Sequence, residues 1–599
     1  MKRILPLLIL ASATLAWSAT PATGTLTGAG STITWAGGTL SGVNGDAIND
    51  TAGDPLTPGT GCTLTNSCET FTLVVNLPAT FYTTNPNYGV QIAINWASVT
   101  NDFDIYLFDS AGNQMFSSAQ QLSTSEFIDA GRLASGTYTL LIVAAAAVNA
   151  TYTGTASVVP EPSVPSGRAR YTRGNFVFST PQQLMRPNDV LNVVTSNAGI
   201  LFALDQDVEP RVVHDPLGNL YAAAIEGVPG GVDVWKSMDG GTTWSYLGEP
   251  DGAQALATFG LTGVGVGGGD EDLATAPNGS VYMDSLWLGA VTQTVSTNGG
   301  NTWTNNPAAS DLPGDDRQWI APFGNQILYE TYKQVGALLN GTDSIFVAKS
   351  FDGGLTFTQI TEVTTPELGI QPGVQGNITV NQSNGYVYTV FTGADGGEIY
   401  LARSTDGGQT WIIKLVYQGA SGVLLQNVFP VVAVDAGSNV HVVFSDSRNV
   451  YLTSSSDQGA SFTPPVRVNN GAVTKTAVSP WVTAGSAGKV NIQWWGTSHT
   501  NSMDFTDPWQ VFMAQTQNAF ANVPTFAQLP ATGVMHVGAI CVNGLACTPG
   551  TRNLAEYQAA DVGLDGNALI VYPDDKNSGT ATGAARTWFV KQVGGATVK

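Results

Sequence analysis

Ser237-Met238-Asp239-Gly240-Gly241-Thr242-Thr243-Trp244 is the first copy of a repeat that runs through most of the chain. The pattern Ser-x-Asp/Asn-x-Gly-x-Thr/Ser-Trp/Phe returns at 296–303, 350–357, 404–411 and 455–462. Successive copies are offset by 59, 54, 54 and 51 residues. That period is one four-stranded propeller blade. The physics of the element is local. An Asp or Asn side chain can accept backbone N–H bonds across a tight turn. Glycine permits the positive φ the turn needs. The terminal aromatic folds back onto the hairpin and buries itself.

A second element repeats more often: an apolar strand, a Gly/Asn/Pro turn, and another apolar strand. Copies begin at Arg211, Asp272, Arg317, Gly376, Phe429, Ser479 and Glu556. A blade cannot leave its hydrophobic face unpaired, so seven copies predict seven blades over 196–599, with six as the alternative. The long stretch 520–554 is the place where an insertion would sit instead. The strand at 200–204 is expected to close the ring with 586–593, because closure removes exposed sheet edges.

Upstream of the repeats, short alternating strands over 56–159 predict a small β-sandwich. A Gly/Thr/Ser-rich arm (23–55) precedes it. A linker (160–195) follows, opening on Pro160-Glu161-Pro162-Ser163-Val164-Pro165, where proline denies the backbone its sheet bonds. The fold class is therefore all-β throughout. Residues 1–22 read as a secretory signal: Lys2 and Arg3, an apolar run from Leu5 to Ala16, then small residues with a cut near Ala19 to Ala22. No other stretch of about 20 apolar residues exists, so no membrane span is expected and the protein is expected to be secreted and extracellular. In an exported chain the four cysteines suggest two local disulfides, Cys62 with Cys68 and Cys541 with Cys547.

A net charge of -22 excludes a nucleic-acid partner, since no basic patch exists to release counterions. No His-based metal motif, phosphate loop or nucleophile elbow is present.

The repeat geometry also points to a site. Residues before each first strand and after each second strand share one face of a propeller. That face collects Asp272, Asp446, Glu556 and Tyr557 with Arg211, Arg317 and Arg448, and with Trp319, Trp481 and Trp494. Carboxylates, arginines and aromatic platforms suit an extracellular glycan or polysaccharide. The competing reading is that these charges only pair with each other and lace the blades together.

The five boxes resemble the Asp-box repeats of the sialidase superfamily, where they lie at the periphery. That resemblance implies six blades, an arginine clamp on a substrate carboxylate, an Asp acid/base and a Tyr–Glu nucleophile. Carried over, Arg211, Arg317 and Arg448 form the clamp, Asp272 is the acid/base, and Tyr557 with Glu556 is the nucleophile pair. The chain departs from the pattern. It reads Glu209-Pro210-Arg211-Val212 where the family has Arg before Ile-Pro, and the family's Tyr and Glu come from different blades.

The upstream tract Trp96…Asn101-Asp102-Phe103-Asp104-Ile105-Tyr106-Leu107-Phe108-Asp109, with Gly136-Thr137-Tyr138-Thr139-Leu140, resembles the bacterial pre-peptidase C-terminal domain. The resemblance implies an accessory role, sometimes with calcium. Asp102, Asp104 and Asp109 offer oxygen ligands to Ca²⁺, as do Asp270, Asp272, Asp315 and Asp316 near the channel. The rival for the first three is turn capping at a wet strand edge. No cofactor is required. Two functions stay open: a glycan-active enzyme of sialidase-like type, and a non-catalytic carbohydrate-binding or surface-interaction propeller.

Overall fold

The computed structural model describes residues 17–599 apart from 44–66, 119–123, 161–168, 187–192, 196–200, 253–265, 337–342, 579–583 and several shorter loop segments. The chain divides into two compact units, Met1–Glu161 and Pro162–Lys599.

The first unit is a sandwich. One layer orders Gln114–Ser118, Asp102–Phe108, Gly136–Ala150 and Cys68–Val75, and the other orders Thr32–Ala36, Tyr152–Pro160, Tyr88–Trp96 and Ser125–Gly131. Trp17–Leu26 joins the layers, pairing parallel with Cys68–Val75 and antiparallel with Thr32–Ala36. Phe71, Ile92, Ile94, Phe103, Ile105, Leu140 and Ile142 alternate inward and are wholly buried between the layers. The arm expected at 23–55 is thus corrected over 23–43, while 44–55 lie outside the described residues. Thr32, Ile33, Thr34 and Trp35 are β-formers, and Thr32–Ala36 and Leu40–Val43 are paired strands. The joining strand also runs through the expected cut. Trp17 and Ser18 pair with Glu69 and Thr70, the register shifts, and Thr23 to Leu26 pair with Thr72 to Val75. A cut near Ala19 to Ala22 would leave that second run in place.

The second unit is a seven-bladed propeller. The innermost strands, in blade order, are Val208–His214, Glu271–Thr275, Asp315–Phe323, Pro372–Val380, Val431–Val434, Thr476–Ala484 and Ala559–Val562. The six-blade expectation carried by the sialidase resemblance is corrected to seven. Each copy of the strand–turn–strand unit supplies the first two strands of one blade. The stretch at 520–554 is no separate blade; Thr525–Pro530 is the fourth strand of blade 6.

Ring closure differs from expectation. The outer strand of blade 7 comes from Val177–Phe178 and Gln182–Gln183, both antiparallel to Arg586–Gly594. Arg170–Arg173 adds a fifth, parallel strand to blade 6. These three strands lie inside the stretch read as linker. Of the strand expected to close the ring, Leu201–Ala203 pairs instead with Val193–Thr195 in a separate hairpin, while 200 and 204 lie outside the described residues.

The boxes behave as their chemistry requires. Asp239 Oδ1 accepts the N–H of Thr242 (2.9 Å) and Thr243 (2.8 Å), and Ser237 Oγ accepts that of Gly241 (2.9 Å). Gly241 has φ +91 and lies against the Phe589 ring of blade 7, so a side chain there meets both strain and a clash. The box aromatic Trp244 packs edge-on to the same Phe589 at 5.0 Å.

Cys541 and Cys547 form a disulfide. Cys68 is disulfide-bonded too; Cys62 lies outside the described residues.

Candidate functional site

Arg317 organises the strand-start face. It is 4% exposed. Its guanidinium lies 4.0 Å from the Trp319 ring and 4.7 Å from that of Tyr557, and Nη2 donates to the Glu271 carbonyl at 3.0 Å. Burial opposes its charge, but Tyr557, Asp270, Glu209 and Asp272 more than offset that. Trp319, Trp481, Tyr557 and Phe429 pack ring to ring at 5.4–6.1 Å and fill the middle of the channel. Trp319, Trp481 and Trp494 are 0%, 2% and 0% exposed. A ring buried on both faces has none to offer a sugar, so their reading as stacking platforms is corrected.

Asp272 accepts three hydrogen bonds. Oδ1 takes the Nε–H of Arg211 at 2.6 Å and the N–H of Leu273 at 2.9 Å; Oδ2 takes the N–H of Ile320 at 3.0 Å. Three donors hold this carboxylate, 1% exposed, as a bracket joining blades 1, 2 and 3. Tyr557 donates to the Glu271 carbonyl at 2.9 Å, and burial pushes its phenol well above its ordinary value. Its neighbour Glu556 turns away, to Nη2 of Arg552 at 2.6 Å. The proposed nucleophile pair is therefore not assembled.

The structure brings Arg211, Asp272, Arg317, Trp319, Trp481 and Tyr557 together. Asp446, Arg448 and Trp494 have partners of their own in blades 5 and 6. Asp446 caps the N–H groups of Arg448 (3.0 Å) and Asn449 (2.7 Å), and Trp494 stacks on Phe512.

Several acids near the channel are buried without hydrogen bonds to their carboxylates. Both oxygens of Glu271 and of Glu330 are of this kind. Burial, with the Asp315 charge, raises Glu330 to about 8, and burial raises Asp315 to about 7. Such groups avoid the cost of a buried charge by keeping their proton.

Among the described residues, two groups of three bring potential ligand atoms within 4.8 Å of one another: His499, Asp504 and Asp507, and Glu226, Asp233 and Glu249. Neither includes Asp102, Asp104 or Asp109. Asp109 caps the N–H of Ala111 at 2.8 Å, the turn role weighed against calcium, and Asp104 receives the Tyr106 hydroxyl at 3.4 Å. Asp270, Asp272, Asp315 and Asp316 are absent from both groups as well.

Among the described residues, open space lies at the other end of the channel, beside the turns that follow the innermost strands. A cavity of about 340 Å³ is lined from all seven blades, with Arg211, His214, Asn377, Trp481, Thr483 and Asp561 among its walls. Arg211 Cζ lies 4.7 Å from the Trp481 ring, and its side chain is 16% exposed. His214 Nδ1 meets Asp561 Oδ2 at 2.7 Å. Burial disfavours the charged imidazole, but the bond and charge of Asp561 prevail and raise its pKa. His214 and Asp561 were missed from sequence because they are 347 residues apart and neither carries a motif.

The fold and site define a seven-bladed Asp-box propeller, plugged in mid-channel and open at its turn end. No family model matches the chain, and no curated protein matches it. Solved structures resemble it at low identity. A Penicillium chrysogenum α-L-arabinanase in complex with arabinobiose is 14% identical, over 69% of this chain and 98% of its own, at a TM-score of 0.36. A Ruminococcus gnavus intramolecular trans-sialidase is 13% identical, over 64% and 94%, at 0.35. A Fusarium graminearum α-L-arabinofuranosidase is 15% identical, over 49% and 88%, at 0.35.

Proposed function

We propose that this chain is an exported carbohydrate-recognition propeller that binds a hydroxyl-rich or acidic glycan in the channel cavity without turning it over. The carrying observation is Arg211. Of the residues read from sequence as ligand-binding, Arg211 and Trp481 belong to the Arg317 cluster and line the cavity, and Arg211 is the one that carries a charge there. Asp272 at 2.6 Å and the Trp481 ring hold its guanidinium in place. A preorganised arginine suits a carboxylate or vicinal hydroxyls better than a mobile lysine does. The neighbouring wall carries the His214–Asp561 pair. Ligand cavities of this size combine a few fixed polar groups with apolar walls.

The enzyme reading needs a proton donor that can reach a ligand. Asp272 and Tyr557 are both committed to structural bonds. Export rests on the N-terminal signal pattern, and no helix among the described residues is long and apolar enough to cross a membrane.

A glycan array combined with a hydrolysis screen on sialosides and arabinans tests the proposal. Binding without hydrolysis is expected, with Arg211→Lys, shown to be folded by circular dichroism, weakening it at least tenfold. Hydrolysis that is lost in Asp272→Asn would replace this reading with the catalytic one.

A further inference from the structure

We propose that His499, Asp504 and Asp507 form a binding site for a divalent transition-series cation, Zn²⁺ foremost, in the loop between the second and third strands of blade 6. The loop reads His499-Thr500-Asn501-Ser502-Met503-Asp504-Phe505-Thr506-Asp507, between Val490–Thr497 and Pro508–Thr516. His499 Nδ1 faces both carboxylates. It lies 3.5 Å from Asp504 Oδ2 and makes an ion-pair contact with Asp507 Oδ1. All three ligand atoms fall within 4.8 Å of one another, so a single ion reaches every one.

Asp507 is the independent sign of a missing partner. Its side chain is 0% exposed; Oδ1 meets only the His499 imidazole, and Oδ2 accepts no hydrogen bond. Leaving such a group unsatisfied is expensive. One imidazole edge cannot serve two carboxylates at once, whereas a dication neutralises both and takes the nitrogen as its third ligand.

The second three-residue group makes the contrast. Glu226, Asp233 and Glu249 already surround a cation: Arg186 Nη1 lies 2.8 Å from Glu226 and 3.1 Å from Asp233. Tyr246 bridges Asp233 (2.5 Å) and Glu249 (2.9 Å). No arginine or lysine fills that place beside Asp507 among the described residues.

The donor set selects the metal. One nitrogen and two carboxylate oxygens suit Zn²⁺, or Mn²⁺ with added water. Ca²⁺ takes six to eight oxygens and has little use for an imidazole. His499 is 41% exposed, which gives the ion a way in and leaves positions for water. The loop is stitched to the segment that carries the Cys541–Cys547 disulfide: Ile540 N–H donates to the Ser502 carbonyl at 2.6 Å, and Gly538 N–H to that of Asp507 at 3.0 Å. A bound ion would pin both segments.

The test is calorimetric titration of the chelator-stripped, dialysed full chain with Zn²⁺, and separately with Ca²⁺. His499→Ala should lose one equivalent of Zn²⁺, or at least tenfold in affinity. Because His214–Asp561 and His536–Asp575 are other pairs that attract zinc, the parent–variant difference is the readout. Asp507→Asn should lose the same equivalent. If that variant does not fold, the half-exposed His499 decides alone. Zn²⁺ binding unchanged in His499→Ala overturns the site. Ca²⁺ binding that survives His499→Ala and disappears in Asp507→Asn overturns the transition-metal assignment.

Discussion

Arg211 donates through Nε to Oδ1 of Asp272 across 2.6 Å, joining the innermost strands of blades 1 and 2. The pair has two roles that mutation separates. Asp272 holds the blades through three accepted bonds, and Arg211 also borders the cavity. Asp272→Asn leaves the partly buried guanidinium without its nearest counter-charge and should cost about 3 kcal/mol. Urea denaturation measures it. A variant as stable as the parent would show that Asp272 does not bracket the blades.

The pH dependence follows from two sets of acids with opposite shifts. Burial raises Glu330 to about 8, Asp315 to about 7 and Glu226 to about 7. An acid whose folded pKa is raised stabilises below its unfolded pKa, and that contribution is lost as pH climbs through the folded value. Asp435 is shifted the other way, to about 2: burial opposes its charge, but His441 and the N–H groups of Gly488 and Asn439 prevail. The box acids Asp406 and Asp457 are also at about 2 through their turn hydrogen bonds, though solvent screens them. Their contribution is lost as pH falls from about 4 towards 2. The urea midpoint should therefore rise from pH 8 to pH 5 and drop below pH 4. Glu330→Gln should flatten the upper limb and raise stability at pH 8. A midpoint that climbs steadily from pH 5 to pH 8 contradicts the buried protons.

What could be read in the sequence follows the range of the interactions. An Asp box is complete within eight residues, so the pattern around Asp239 states its own hydrogen bonds. The blade count was legible for a similar reason, since each strand–turn–strand unit is contiguous. Ring closure was not. Gln182 and Gln183 pair with Phe589 and Trp588, and nothing in a short run beside Pro181 marks it as a blade edge. At the site, strand alternation told which residues share a face, and Arg211, Asp272 and Arg317 do meet. It could not tell that Trp319, Phe429, Trp481 and Tyr557 fill the channel between them. Filling depends on side-chain volume from four blades at once. His214 and Asp561 share a wall only because the ring closes.

One inter-blade device is visible in sequence only afterwards. The residue just before the box serine is basic in three blades, and each reaches the next box. Lys236 Nζ donates to the Gly299 carbonyl at 2.9 Å, Lys349 Nζ to Gly407 at 2.9 Å, and Arg403 Nη1 to Gln458 at 2.9 Å. Lys349 also lies 5.1 Å from the Tyr329 ring centre. Replacing Lys349 with Met keeps the stem and removes the donor. It should cost about 1 kcal/mol, the worth of one charge-assisted bond, since the Gly407 carbonyl keeps the 3.2 Å bond from Gln359 Nε2. Thermal denaturation at fixed pH reads it, and an unchanged transition would mean that the latch contributes nothing.

The strands at 170–183 should decide whether the propeller closes. Arg170–Arg173 pairs with Thr525–Pro530, and Tyr171 donates to the Arg467 carbonyl at 3.0 Å, so this strand reaches blades 5 and 6. Val177–Phe178 and Gln182–Gln183 then cover Arg586–Gly594. Two chains separate the contribution of these strands from that of the sandwich. One begins at Pro162 and keeps them; the other begins at Met185, lacks them and keeps Arg186 with its partners Asp207, Glu226 and Asp233. The first should melt as one cooperative transition. The second leaves the edge of Arg586–Gly594 unpaired, with Phe176 and Leu184 removed from the core they are buried in. An open edge of that kind pairs with other chains. The shorter chain should therefore melt earlier by several degrees and associate as its concentration rises, which scanning calorimetry and light scattering would record. Equal melting and equal monodispersity of the two chains would show that blade 7 is stable with three strands and that the ring does not depend on this clasp.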